Sequence, residues 1–126
     1  MRITIPFKTP SINHLYFNYR NVRILTKEAR QLKKDIFNIV DKIEKTSPFS
    51  SIPLPSIPLK VTTKIYEDWY YKNSKIRTCD IANREKFLID AIFDALGVDD
   101  KCIFEQHLIK VQSETEEKAE VEIDGL

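Results

Sequence analysis

Apolar and polar positions follow regular periods in the first half of this chain. Arg2–Ile5 alternates between the two classes and predicts a short strand, which Pro6 ends. After Thr26, a helix N-cap residue, apolar side chains recur at helical spacing. They predict an amphipathic helix of about 18 residues that ends before Pro48. A β-branched run over residues 59–66 then predicts a second strand.

The second half predicts another helix and two further strands. The helix begins at Asp80 or Ile81 and ends before Gly97, a residue that favours a helix C-terminus. Residues 102–111 predict a strand whose imperfect alternation indicates a bulge. Residues 119–123 alternate between apolar and acidic side chains and predict a half-exposed final strand. The order β-α-β-α-β-β predicts an α+β fold: a single mixed β-sheet of about four strands, with two main helices packed on it.

Length and composition favour one intracellular domain. The 126 residues fit a single domain over 1–126 that needs no disulfide to fold. Cys79 and Cys102 lack metal-ligand spacing, and we interpret them as reduced thiols. Neither a secretory signal nor an apolar run long enough to span a bilayer is evident, so no membrane partner is expected. The sequence therefore predicts a cytoplasmic protein.

Charge is distributed unevenly although the net charge is only +1. Residues 1–78 carry 15 Lys and Arg against 6 Asp and Glu, a net charge of +9. Residues 79–126 carry 5 against 13, a net charge of −8. A basic half can bind a polyanion, and an acidic half can bind divalent cations or simply keep the protein soluble. The asymmetry permits a nucleic-acid partner without identifying one.

A polar stripe runs along the otherwise apolar second helix. Its members at helical spacing are Asn83, Lys86, Asp90 and Asp94. Most amphipathic helices have a solvated face of this kind, so the stripe alone does not establish a site. Further carboxylates lie before the helix, at Asp80, and after it. A 16-residue helix is about 24 Å long, so sequence spacing leaves open whether these carboxylates meet.

The chain resembles the RusA-type Holliday junction resolvases, small dimeric endonucleases of phage and bacteria. The family pattern in this stretch is Asp-x-Asp-Asn, a lysine three residues later, an Asp-Ala pair and then Asp-Asp. This chain has Ala82 where the second acid of that pattern is expected. The other matching residues are Asp80, Asn83, Lys86, Asp90-Ala91 and Asp99-Asp100 in the centre, and Ile5-Pro6-Phe7, Pro10-Ser11, Asn13, Tyr16, Arg23 and Thr26-Lys27-Glu28-Ala29 near the start.

The resemblance implies a structure-selective endonuclease that resolves four-way junctions by metal-dependent phosphodiester hydrolysis. It implies Mg²⁺, with Mn²⁺ as a substitute, bound by Asp80, Asp99 and Asp100. Lys86 would stabilise negative charge that develops on the phosphate. Carboxylates suit Mg²⁺, which activates water and neutralises charge on the breaking phosphodiester. The implied catalytic residues are Asp80, Lys86 and Asp100, in a bacterial, phage or prophage context.

Ala82 cannot coordinate a metal, so the sequence predicts weak metal binding and very low cleavage for this chain. Two explanations remain open. Either an engineered Asp→Ala change lets DNA bind without being cut, or natural drift produced a non-catalytic or differently liganded protein in which Glu85 or Asp90 compensates. The corresponding alternative function is a non-catalytic branched-DNA-binding protein on the same fold. A protein-interaction domain with an incidental acidic helix explains the charge asymmetry least well.

Basic and aromatic residues are interleaved in two segments. Residues 15–23 predict an extended arm or an irregular hairpin, and residues 67–78 a polar loop that leads into Asp80. Both segments are candidates for phosphate binding, and solvated surface is the alternative for each. Aromatic residues there have two interpretations, stacking on unpaired bases or packing in the core: Tyr16, Tyr19, Trp69, Tyr70 and Tyr71. The predicted DNA-binding residues are Asn13, Arg20, Arg23, Lys72, Lys75, Arg77 and Asn83.

The near two-fold symmetry of a four-way junction favours a homodimer, since a C2 dimer presents two related sites to the two strands that must be cut. The family is dimeric. The apolar loop at residues 52–55 and the second helix are candidate interface segments.

Overall fold

Two β-sheets and two α-helices make up the computed structural model, which describes residues 1–11, 15–46 and 57–126. A single turn of 3-10 helix, Asp100–Cys102, follows the second α-helix. In chain order the elements are β1 (Arg2–Ile5), β2 (Tyr16–Tyr19), β3 (Val22–Leu25), α1 (Lys27–Thr46), β4 (Leu59–Glu67), α2 (Ile81–Leu96), β5 (Ile103–Gln112) and β6 (Lys118–Gly125).

The main sheet is mixed and has the strand order β1-β6-β4-β5. β6 runs antiparallel to both β1 and β4, whereas β4 and β5 are parallel and are joined through α2. Leu59 pairs with Ile103 and Lys60 with Glu105, so Phe104 is the extra residue of a bulge. The α+β prediction is confirmed, and so is the bulge in the strand after α2.

One face of this sheet carries the core. Alternate residues of β4 are buried, and the buried positions of β1 and β6 lie on the same face. Helix α1 contributes Ile36 and Val40, and α2 contributes an almost continuous buried run from Phe87 to Phe93, interrupted only at Asp90. The largest fully buried side chains include Ile3, Ile5, Ile36, Leu59, Ile65, Leu88, Ile92 and Ile123.

Both ends of α2 agree with the sequence prediction. Asp80 is the N-cap, and its Oδ1 accepts a hydrogen bond of 3.0 Å from the backbone N–H of Ala82. Gly97 adopts a left-handed conformation with φ of 70°. Its N–H donates to the Asp94 carbonyl, and the next N–H, of Val98, donates to the Phe93 carbonyl. This is a Schellman motif, which satisfies carbonyls that the helix leaves free.

A buried ion pair fastens the first turn of α2 to the sheet. Glu67, at the end of β4, is only 5% exposed, and its Oε1 lies 3.4 Å from Nη2 of Arg84. Arg84 Nη1 also donates a 2.7 Å hydrogen bond to the carbonyl of Thr9, and Lys8 Nζ lies 3.9 Å from Glu67 Oε2. The loop after β1, the end of β4 and the start of α2 are thereby held together beside Asp80.

Residues 16–25 form a hairpin, which decides between the two predicted forms of this segment. Strands β2 and β3 make a separate two-stranded sheet, and the turn residues Arg20 and Asn21 both have positive φ, 48° and 64°. Within the described residues, no helix is long and apolar enough to cross a membrane. Cys79 and Cys102 are not joined to each other in a disulfide.

Candidate functional site

Asp80 lies in an open cleft at the N-terminal end of α2. The cleft has a volume of about 680 Å³ and is also lined by Lys8, Ser11, Asn83 and Arg84. Asp80 is exposed, and Asn83 is half-buried three residues further along the helix. The cleft therefore presents one carboxylate together with an amide and two cations, next to the N-terminus of a helix.

Asp99 and Asp100 lie at the opposite end of α2, in a second open cleft. This cleft has a volume of about 540 Å³, and Lys33, Asp90 and Asp94 also line it. Asp99 caps the 3-10 turn by accepting a 2.9 Å hydrogen bond from the N–H of Lys101. The Asp94 carboxylate is 3.0 Å from Lys33 Nζ of α1. Four carboxylates and one lysine thus surround the C-terminal end of the helix.

Asp90 connects Lys86 to this second cleft. Lys86 Nζ lies 3.9 Å from Asp90 Oδ2, one helical turn away. Partial burial raises the pKa of the Asp90 carboxyl, Lys86 lowers it, and the negative charge of Asp100 raises it again. The structure therefore brings Lys86, Asp90 and Asp100 into one electrostatically coupled group, of which Lys86 and Asp100 were predicted as catalytic.

Glu85 is a buried carboxyl on the same helix. It is 7% exposed and accepts a hydrogen bond from the side-chain amide of Gln106 on β5. Burial raises the pKa of Glu85, the Gln106 hydrogen bond opposes that shift, and the charge of Asp90 adds to it. The sequence alone predicts Glu85 only as a ligand that compensates for Ala82. Its burial could not be predicted, because it depends on a partner 21 residues further along the chain.

Replacing Glu85 by glutamine should change the free energy of unfolding in a pH-dependent way. Compared with the unchanged chain, Glu85→Gln should become relatively more stable as the pH rises from acid to neutral. A carboxyl whose pKa is raised by folding contributes stability that is fully present below its unfolded pKa. That contribution is lost as the pH rises through the folded pKa. Urea unfolding between about pH 4 and pH 7 should show the gap in free energy of unfolding widening in favour of Glu85→Gln. A difference in free energy of unfolding that does not change with pH would contradict a raised pKa for Glu85 in the folded protein.

The two clefts do not form one metal site within a protomer. Asp80 and the Asp99-Asp100 pair are separated by the length of α2, whose 16 residues span about 24 Å. Among the described residues, no group of three or more His, Cys, Asp or Glu side chains is placed to hold a metal ion. The carboxylates of a single chain therefore do not fit the metal site that the family resemblance implies.

The predicted DNA-binding residues are spread over three surfaces. Arg20 and Arg23 lie on the hairpin, and Asn83 lies in the Asp80 cleft. Lys72, Lys75 and Arg77 are exposed in the loop before α2. An isolated bridge between Tyr70 and Ile76 closes that loop, and Arg77 Nε donates a 3.1 Å hydrogen bond to the Tyr70 carbonyl. Asn13 and the candidate interface loop at 52–55 lie outside the described residues.

The aromatic candidates divide between core and surface. Trp69 is 3% exposed, and its indole N–H points to the carbonyls of Ile65 and Val111 at 3.2 and 3.1 Å. Trp69 therefore packs in the core and is not available for base stacking. Four tyrosines remain exposed: Tyr16 and Tyr19 on the hairpin, and Tyr70 and Tyr71 before α2.

Comparison with known proteins identifies one family. The family model described as endodeoxyribonuclease RusA matches residues 6–124. The matched range contains both clefts, the hairpin and the whole of α2. No curated protein matches the chain.

Proposed function

Because the chain belongs to the RusA family of endodeoxyribonucleases, which act on Holliday junction DNA, we propose that it is a Mg²⁺-dependent nuclease selective for four-way junctions. We also propose that Ala82 weakens its cleavage. The observation that carries the proposal is the exposure of carboxylates in open clefts at both ends of α2, with Lys86 between them.

The proposal requires two protomers. Within one chain, helix α2, which is about 24 Å long, lies between Asp80 and the Asp99-Asp100 pair, so a site that uses all three would combine ends of α2 from different chains. In a C2 dimer, Asp80 of one protomer and Asp100 of the other would meet twice, once on each side of the axis. The resulting pair of sites would match the two symmetric strands that a resolvase must cut.

The surrounding cations support a role in DNA binding. Lys72, Lys75 and Arg77 lie in the loop that leads directly to Asp80, and Lys33 lines the cleft of Asp99 and Asp100. Contacts to phosphate position a duplex arm without reading its sequence, as structure-selective binding requires. Each phosphate that is neutralised also increases the slope with which the affinity for DNA falls as the salt concentration rises.

The test compares a four-way junction with a linear duplex of the same arm sequence. The unchanged chain should bind the junction about 10-fold or more tightly than the duplex, and its affinity should fall steeply between 50 and 200 mM salt, as phosphate contacts require. Any residual nicking should need Mg²⁺ and should disappear in Asp100→Asn. Asp80→Asn is the companion variant, because asparagine still caps the helix while the carboxylate charge is removed. Equal affinity for junction and duplex would reject the proposal.

A second candidate function is a branched-DNA binder that does not cut. Two observations favour it: Ala82 occupies the position of an expected acid, and one oxygen of Asp80 is already engaged in capping α2. Such a protein would share the junction preference and the salt dependence but would show no nicking with any metal. Restoring an aspartate at position 82 separates the two functions.

A further inference from the structure

The hairpin β2–β3 has an apolar face that the rest of the described chain leaves open to solvent. Its register sets Phe17 opposite Ile24 and Tyr19 opposite Val22, so these four side chains share one face. Phe17, Tyr19 and Val22 are 46%, 54% and 57% exposed. A two-stranded hairpin is at best marginally stable in water when it stands alone. An exposed apolar face on such an element therefore indicates an occupant in the working complex.

The other face and the tip of the hairpin are cationic. The Arg23 guanidinium lies 4.2 Å from the centroid of the Tyr16 ring, and Arg20, in the turn, lies 5.3 Å from the Tyr19 ring. Residues 16–25 contain these two arginines and no acidic residue. The turn places Arg20 at a positive φ, where glycine or asparagine fits more readily, so the tip carries a charge at a position that does not favour arginine.

The hairpin is anchored firmly at its base. Leu15, just before β2, is 2% exposed, and Leu25, at the end of β3, packs against the core. The N–H of Thr26 donates a 2.8 Å hydrogen bond to the Leu15 carbonyl and closes the base. Helix α1 begins at the next residue and carries Lys33 into the cleft of Asp99 and Asp100. The base of the hairpin is therefore fixed to the core, and the strands beyond it project into solvent, where they can reach a bound substrate.

We propose that the hairpin is a wedge that enters the centre of branched DNA. Phe17 and Tyr19 stack against bases whose stacking is interrupted at the branch point, and Arg20 and Arg23 contact the flanking phosphates. This inference rests on the proposed function, since it supplies the selectivity for a junction over a duplex. A linear duplex is stacked continuously, so it offers no open base face to the apolar side chains.

Charge favours DNA over a second copy of the chain as the occupant. Pairing two hairpins through their apolar faces would join two ribbons that each carry two arginines and no acidic residue. DNA instead offers phosphates to the arginines and flat aromatic surfaces to the rings. A single DNA substrate can therefore contact both the arginines and the aromatic rings of the hairpin.

The experiment replaces the two rings and measures binding without cleavage. The double variant Phe17→Leu/Tyr19→Leu keeps apolar bulk but removes the aromatic surfaces, and Phe17→Ala/Tyr19→Ala removes both. Phe37→Ala on α1 is the matched control, because that phenylalanine is 52% exposed and lies outside the hairpin. Affinities for a four-way junction and a matched duplex are measured in EDTA, with 2-aminopurine at the branch point reporting on base stacking.

Both double variants should lose about 10-fold or more in junction affinity and lose the 2-aminopurine response, with duplex affinity changed by less than about twofold. Phe37→Ala should leave all three unchanged. Unchanged junction affinity, or an equal loss for junction and duplex, would overturn the wedge. So would rescue by leucine together with dimer dissociation of the alanine variant in sedimentation, which would make the face a protein interface. These binding measurements do not depend on cleavage. Failure of the nuclease proposal would instead be seen as an absence of nicking by the unchanged chain.

Discussion

Replacing Ala82 by aspartate should raise Mg²⁺-dependent cleavage of a four-way junction by about 100-fold or more. Losing even an outer partner of a metal ligand costs 10- to 100-fold, so adding a carboxylate to the proposed ligand set should gain at least the upper end of that range. Ala82 is exposed in the first turn of α2, and an acid there interacts favourably with the helix N-terminus. The substitution therefore adds charge at the site without disturbing the fold.

The control for this change is Ala82→Asn, which has nearly the same shape and no charge. It should leave cleavage at the level of the unchanged chain, and adding Asp100→Asn to Ala82→Asp should abolish the gain. Nicking is measured on denaturing gels with Mg²⁺ and, in parallel, with Mn²⁺. If Ala82→Asp binds the junction but gains no cleavage with either metal, the non-cutting DNA binder becomes the better description of the protein.

Replacing Arg84 by methionine should lower the free energy of unfolding by about 3 to 5 kcal/mol, because it leaves the carboxylate of Glu67 buried without its main partner. Glu67 is 5% exposed, and Lys8 Nζ, at 3.9 Å and itself half exposed, is a weaker substitute. The hydrogen bond from Arg84 to the Thr9 carbonyl is lost as well. Urea unfolding of the purified variants measures the change.

The double variant Glu67→Gln/Arg84→Met tests whether the buried charge of Glu67 causes this loss of stability. Neutralising Glu67 removes the buried charge, so most of the lost stability should return, and the pair should show a large coupling energy in a double-mutant cycle. A single variant that loses less than about 1 kcal/mol would mean that water reaches Glu67 and that the pair behaves as a surface salt bridge.

Local signals were sufficient to predict α2 and the general class of the fold. Asp80 and Gly97 are strong end signals whose hydrogen bonds lie within the helix and its caps, so tertiary context has little influence on them. The hairpin was harder to predict, because a strand that is exposed on both faces does not require apolar and polar side chains to alternate. β2 is exposed at all four positions, which is why its sequence fitted an extended arm equally well.

The candidate site was predicted less completely, for a geometric reason. The sequence identifies which carboxylates lie near α2, but their convergence depends on what lies at either end of a rod about 24 Å long. Trp69 illustrates the same limit. It lies among exposed tyrosines in the sequence, yet carbonyls of Ile65 and Val111 satisfy its indole and hold it in the core.

The pairing of β1 with β6 has a consequence for how the protein folds. Ile5 of β1 pairs with Ala119 of β6, and β6 in turn lies between β1 and β4. The main sheet therefore cannot close until strands far apart in the sequence have met. Contacts this distant in sequence slow folding. A folding intermediate in which α2 has already formed with its caps would still lack the completed sheet against which that helix packs.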